Sequence, residues 1–179
     1  MGTAVKALPL EEYLSNPAYE RCEWIDGEAV ELNVGSMPHS RIQVKCGRKL
    51  DEYFDQHPGG CAAAELRCRL VVGGEPRIYL PDVSVVLGGP ELARVSYLDR
   101  APDLVVEIRS PDDSLSALVR KIQDYFANGT KLAWVILPEE KAVLIFTPNA
   151  PTRTAVAGEI LDGGELLPEL KIAVDALFV

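Results

Sequence analysis

The sequence predicts a mixed α/β fold, a β-sheet with a central β-α-β unit and few flanking helices. Three observations carry this. The apolar run Leu104-Val105-Val106-Glu107-Ile108 is followed by the helix-start cluster Ser110-Pro111-Asp112-Asp113-Ser114, a helical stripe and the apolar run 132–137. That order favours a parallel strand pair with a right-handed crossover. Asp26-Gly27 is a favoured hairpin turn. Short strand-like runs outnumber helical stretches, so hairpins surround the β-α-β unit and a doubly wound sheet is disfavoured.

In chain order, residues 9–15 predict a short helix, and 19–26 and 28–33 two strands of a hairpin. A long helix runs from about 39 to 56, because Ile42, Cys46, Leu50, Tyr53 and Phe54 recur at helical spacing. His57-Pro58-Gly59-Gly60 stops it. Residues 61–72 predict one strand with Leu66, Cys68 and Leu70 on a face. Gly73-Gly74 turns the chain into an apolar run, 78–87, that contains Asp82. Residues 88–101 read as loop with one helical turn. Leu115, Leu118, Val119, Ile122, Tyr125 and Phe126 form the stripe of the next helix, closed by Asn128-Gly129. Strands follow at 132–137 and 141–147 across the turn Pro138-Glu139-Glu140. Two peripheral strands are predicted at 152–161 and 165–174.

The chain has 179 residues, 47% of them hydrophobic, which suits a single domain over 1–179 with a real core. Its net charge of -9 argues against nucleic-acid binding through bulk charge but leaves room for a local basic groove. No apolar run is long enough to span a membrane, and residues 1–10 lack the apolar core of a secretion signal. Cys22, Cys46, Cys61 and Cys68 make no CxxC pair and read as reduced thiols of a cytoplasmic protein. Trp24 and Trp134 read as core or interface residues rather than base-stacking platforms.

Two carboxylates stand out. Asp82 and Glu107 each interrupt a run that reads as a buried strand. A buried carboxylate costs several kcal/mol unless it is paired, protonated or metal-bound. Strand alternation puts Val105, Glu107 and Arg109 on one face. Lys121 lies beside the apolar stripe of the following helix, within reach of the sheet. Two carboxylates and a cation are a known catalytic arrangement. The acids hold a hard divalent ion, and the cation orients water or stabilises developing charge.

Four stretches carry a resemblance. They are Tyr19-Glu20 with Trp24-Ile25-Asp26-Gly27-Glu28, then His39-Ser40-Arg41-Ile42, then Pro81-Asp82-Val83-Ser84-Val85. The fourth is Pro102-Asp103-Leu104-Val105-Val106-Glu107-Ile108-Arg109-Ser110-Pro111, continuing through Lys121, Tyr125, Gly129 and Trp134-Val135-Ile136. Together they span most of 10–147 and resemble the Uma-type restriction endonucleases of the PD-(D/E)xK superfamily, formerly a domain of unknown function. The resemblance implies a restriction-endonuclease-like core, DNA as substrate and Mg2+ as cofactor, with Mn2+ as a substitute. It implies Asp82 and Glu107 as metal-holding catalytic acids. The superfamily lysine normally lies two residues after the second acid, where this chain has Arg109. Arginine stays protonated and cannot act as a base. Lys121 matches the place to which the family's lysine has moved, and Arg109 remains a candidate phosphate contact.

Weaker candidates are Glu28 as an accessory acid and His39, Arg41, Lys45 and Arg48 as nucleic-acid contacts. Each has a plain reading as a strand, helix-start or solvated helix residue. An alternative function is a non-catalytic assembly module that keeps the nuclease fold, its acids neutralised by Arg109 and Lys121. A hydrolase of smaller phosphorylated substrates is a third. Leu177-Phe178-Val179 suits either a homodimer contact or a docked C-terminus.

Overall fold

The computed structural model describes residues 7–32 and 35–178. Residues 1–6, Asn33 and Val179, touched by the N-terminal, second-strand and C-terminal readings, lie outside the described residues. Helix α1 (Leu10–Ser15) precedes the hairpin β1 (Cys22–Ile25) and β2 (Glu28–Glu31). Its turn is Asp26-Gly27, with φ of 52° and 84°. Tyr19 ends a 3-10 turn rather than beginning the strand. Helix α2 (Met37–Gln56) starts two residues before the predicted His39, with Ser36 accepting from the His39 N–H at 3.4 Å.

The next stretch corrects two predicted strands. Residues 61–72 form β3 (Gly60–Ala64) and β4 (Cys68–Val72), and the Asp82 run forms β5 (Glu75–Tyr79) and β6 (Val83–Leu87). Strands β3 and β6 pair in one sheet, β4 and β5 in another. The chain is thus a long hairpin bent from sheet to sheet at 65–67 and 80–82. Glu65, at φ 49°, and Pro81 mark the bends. The Glu65 N–H reaches the Asp82 carbonyl at 3.4 Å across them. Asp82 therefore lies at a corner, not inside a strand.

The predicted β-α-β unit is present as β7 (Leu104–Ile108), α3 (Leu115–Ala127) and β8 (Leu132–Leu137), with β7 and β8 parallel. β9 (Ala142–Phe146) and β10 (Arg153–Val156) extend the sheet to the order β10-β9-β8-β7-β6-β3. β11 (Ile160–Gly163) and β12 (Leu167–Ala173) form a separate pair, so the run 152–161 is also split between two sheets. A four-stranded sheet ordered β2-β1-β5-β4 completes the mixed α/β architecture among the described residues.

Strand alternation assigns the two faces of the six-stranded sheet. Leu104, Val106, Trp134 and Ile136 pack with Ile42, Cys46 and Leu50 of α2, and with β11, β12 and α4 (Asp175–Phe178). Leu177 is buried in this core, so it offers no dimer surface. On the other face Val105, Ala133 and Val135 meet Leu118, Ile122 and Tyr125 of α3 and Cys68 and Leu70 of β4. Fully burying one large apolar side chain contributes about 1.5–3 kcal/mol, so these stripes hold both helices to the sheet. All four cysteines are free. No helix of the described residues is long and apolar enough to cross a membrane.

Candidate active site

The corner at Leu80-Pro81-Asp82 and the end of β7 meet by register. Val83 lies opposite Val106 in the antiparallel β6–β7 pair, so one step further Asp82 lies beside Glu107. The Ile108 N–H donates to Asp82 Oδ2 at 2.6 Å and fixes the carboxylate there. The other oxygen, Oδ1, is 3.3 Å from His39 Nε2 on the first turn of α2. One turn along, Gln43 Nε2 donates to the Asp82 carbonyl at 3.0 Å. His39 has its pKa raised above the ordinary 6.5, chiefly by its bond with Asp82 and against the effect of burial.

Glu107 points from β7 toward α3 and is buried. Lys121 Nζ lies 2.9 Å from Glu107 Oε1, and the Tyr125 hydroxyl donates to the same oxygen at 3.1 Å. Residues 121 and 125 stand one helical turn apart, which presents both donors to one acid. Oε2 carries neither bond. Burial pushes the Glu107 carboxyl up to about 7, outweighing the lowering effect of Lys121. The Tyr125 hydroxyl is held well above its ordinary 10 by burial and by Glu107, so it remains a donor. Lys121 is pushed up by Glu107 and Glu23 despite its own burial, and stays an ammonium.

Glu23 was not foreseen. It projects from β1, is buried, and its Oε1 lies 2.7 Å from Lys121 Nζ. The same oxygen accepts the Leu80 N–H at 3.0 Å. Glu28, the predicted accessory acid, lies exposed beyond the hairpin turn and does not line the cavity. The available signal was Cys22-Glu23-Trp24, an acid between two apolar residues. Alternation alone sends that acid to solvent, and only packing closes over it.

Asp82, Glu107, Lys121, Glu23, His39 and Gln43 line one cavity of about 560 Å³. Its other charged residues are Glu31, Glu65, Asp113 and Arg21. Acids outnumber cations, so the rim is not the positive one expected of a groove for a phosphate backbone. Arg109 does not join Glu107. β7 ends at Ile108, and the guanidinium turns to Glu140 Oε1 at 3.1 Å and to the Asp113 carbonyl at 3.4 Å. Arg41, Lys45 and Arg48 do not line the cavity, and Arg48 pairs with Glu52 at 3.3 Å. Trp24 and Trp134 are core residues, as expected.

The cavity offers carboxylate oxygens, the donor type that a hard divalent cation takes. Asp82 and Glu107 bring carboxylate oxygens to one cavity, and Glu107 is a buried acid that its cation does not fully compensate. No group of three or more His, Cys, Asp or Glu suited to a metal forms among the described residues. Two carboxylates with water and substrate oxygens are the usual share of a protein in a magnesium site.

Comparison with known proteins bears on the family and the fold. The model of the Uma2 family, described as "Putative restriction endonuclease", matches residues 10–175. The crystal structure of a "putative nuclease belonging to DUF820" from Anabaena variabilis is similar at a TM-score of 0.79 and 26% identity. That likeness covers 96% of this chain and 97% of the other. No curated protein matches.

Proposed function

The chain belongs to the Uma2 family, and from that premise we propose that it is a metal-dependent endonuclease hydrolysing DNA phosphodiester bonds. One observation carries the reading: Asp82 and a buried, incompletely neutralised Glu107 line the same cavity as the Lys121 ammonium. Asp82 and Glu107 would hold Mg2+, or Mn2+ in its place. When bound, such an ion supplies Lewis-acid stabilisation of phosphate charge and a water of lowered pKa. Lys121 donates to a phosphate oxygen or to the attacking water. It does not serve as a base, because its two acids hold the proton on it. Tyr125 and the Ile108 N–H keep the two acids oriented. The acidic lining repels a phosphate backbone, so DNA binding itself should depend on the cation.

The test is cleavage of plasmid and linear DNA with Mg2+ or Mn2+, beside Asp82→Ala and Glu107→Ala. Cation-dependent cleavage by the wild type alone supports the assignment. Equal cleavage by all three proteins points to a contaminant and sinks it. A second reading, a non-catalytic module, is favoured by the partners both acids already have, His39 and Lys121. It predicts no cleavage and no cation binding in the wild type.

A further inference from the structure

We infer that Glu23 is a positioning residue for the cation site: it shares the Lys121 ammonium and so keeps Glu107 available to a divalent ion. This rests on the nuclease reading above. Lys121 Nζ lies between two carboxylates, 2.7 Å from Glu23 Oε1 and 2.9 Å from Glu107 Oε1. Both acids are buried, and the lysine side chain is 16% exposed. With both carboxyls ionised, these three groups carry two negative charges and one positive, a net negative charge in a low-dielectric site. Asp82 adds another. A single Glu107–Lys121 pair would instead be neutral, and an incoming ion would compete with the ammonium for Oε1.

Glu23 can act in this way because it is fixed. Its strand is the inner partner of β2 and β5, and its Oε1 is held by the Leu80 N–H at 3.0 Å. Leu80 belongs to the corner that carries Asp82. Glu23 thus anchors the lysine that faces Glu107 and also the chain that presents Asp82.

The experiment is calorimetric titration of the metal-free protein with Mn2+, with thermal unfolding in parallel. Glu23→Gln keeps an acceptor for Leu80 and nearly the same volume but removes the charge. Its Mn2+ affinity should fall about 10- to 100-fold, the usual cost of losing a partner that supports a metal ligand. Glu23→Asp keeps the charge and should bind more tightly than Glu23→Gln. Equal losses in both variants overturn the inference, because shape rather than charge would then matter. Glu23→Gln within about twofold of wild type also overturns it, provided Asp82→Asn abolishes binding. Should Glu23→Gln not fold, Lys121→Gln decides: removing the competing ammonium should tighten Mn2+ binding, and weaker binding refutes the competition. A wild type that binds no Mn2+ overturns the nuclease reading and this role together.

Discussion

Two Pro-Asp pairs introduce neighbouring antiparallel strands and meet opposite fates. Pro81-Asp82 leads into β6 and Pro102-Asp103 into β7, so the two aspartates lie at opposite ends of the same strand pair. Asp103 is buried and fully engaged. It accepts from the Leu87 N–H at 2.9 Å and Arg100 Nη1 at 3.1 Å, and lies 3.4 Å from Lys131. Arg100 and Lys131 are 44% and 61% exposed, so their charges stay hydrated while they serve it. At the far end of β7, Glu107 has a lysine that is 16% exposed and shared with another acid. Burial alone does not mark a functional acid. What separates the ends is incomplete neutralisation beside a cavity.

The largest expected effect breaks this comparison if it fails. Asp82→Ala or Glu107→Ala should lower cation-dependent cleavage by more than the ~10–100-fold typical of residues that merely support a metal ligand. Asp103→Asn should leave cleavage near wild type when assayed well below its unfolding temperature. A loss of cleavage in Asp103→Asn equal to that in Glu107→Ala would erase the distinction between the two ends.

The pH dependence of stability sharpens the same contrast. With the Glu107 carboxyl at about 7 in the folded protein against an ordinary 4.5, the folded state keeps a proton that the unfolded chain releases between those values. This contribution is fully present below pH 4.5 and is lost as pH rises to about 7. The shift corresponds to roughly 3 kcal/mol across that window. Glu107→Gln should remove that slope, so urea denaturation of the metal-free proteins should show the variant gaining on wild type from pH 5 to pH 8. A constant difference would place Glu107 in a neutralised pair like that of Asp103. At the other end, Asp103→Asn should cost ~1–3 kcal/mol at neutral pH by leaving donors poorly matched.

How much of this was legible follows from what each signal measures. The β-α-β unit was readable because a helix-start cluster and two apolar runs are local. Asp82 and Glu107 were readable as acids in apolar surroundings. The sheet-to-sheet bends were not, since Leu80-Pro81-Asp82 interrupts an apolar run without breaking its hydrophobicity. Glu23 was hidden for a related reason. Strand alternation assigns two faces but does not say that α3 will cover the second one with Lys121. Arg109 was misplaced by the same rule, because alternation holds only while the strand continues, and β7 stops at Ile108.

Arg109 therefore supplies the smallest effect and the finest test. It follows Glu107 by two positions, where a catalytic lysine would be sought, yet its side chain is 30% exposed and its guanidinium rests on Glu140 across the turn after β8. Exposed pairs of this kind contribute about 0–1 kcal/mol. Arg109→Ala should shift stability within that range and change cleavage less than Lys121→Ala does. The two variants compared at saturating Mg2+ assign the working cation. If Arg109→Ala costs more turnover than Lys121→Ala, the guanidinium leaves Glu140 when DNA binds, and the cation at this end of β7 is recruited by substrate rather than built in by the fold.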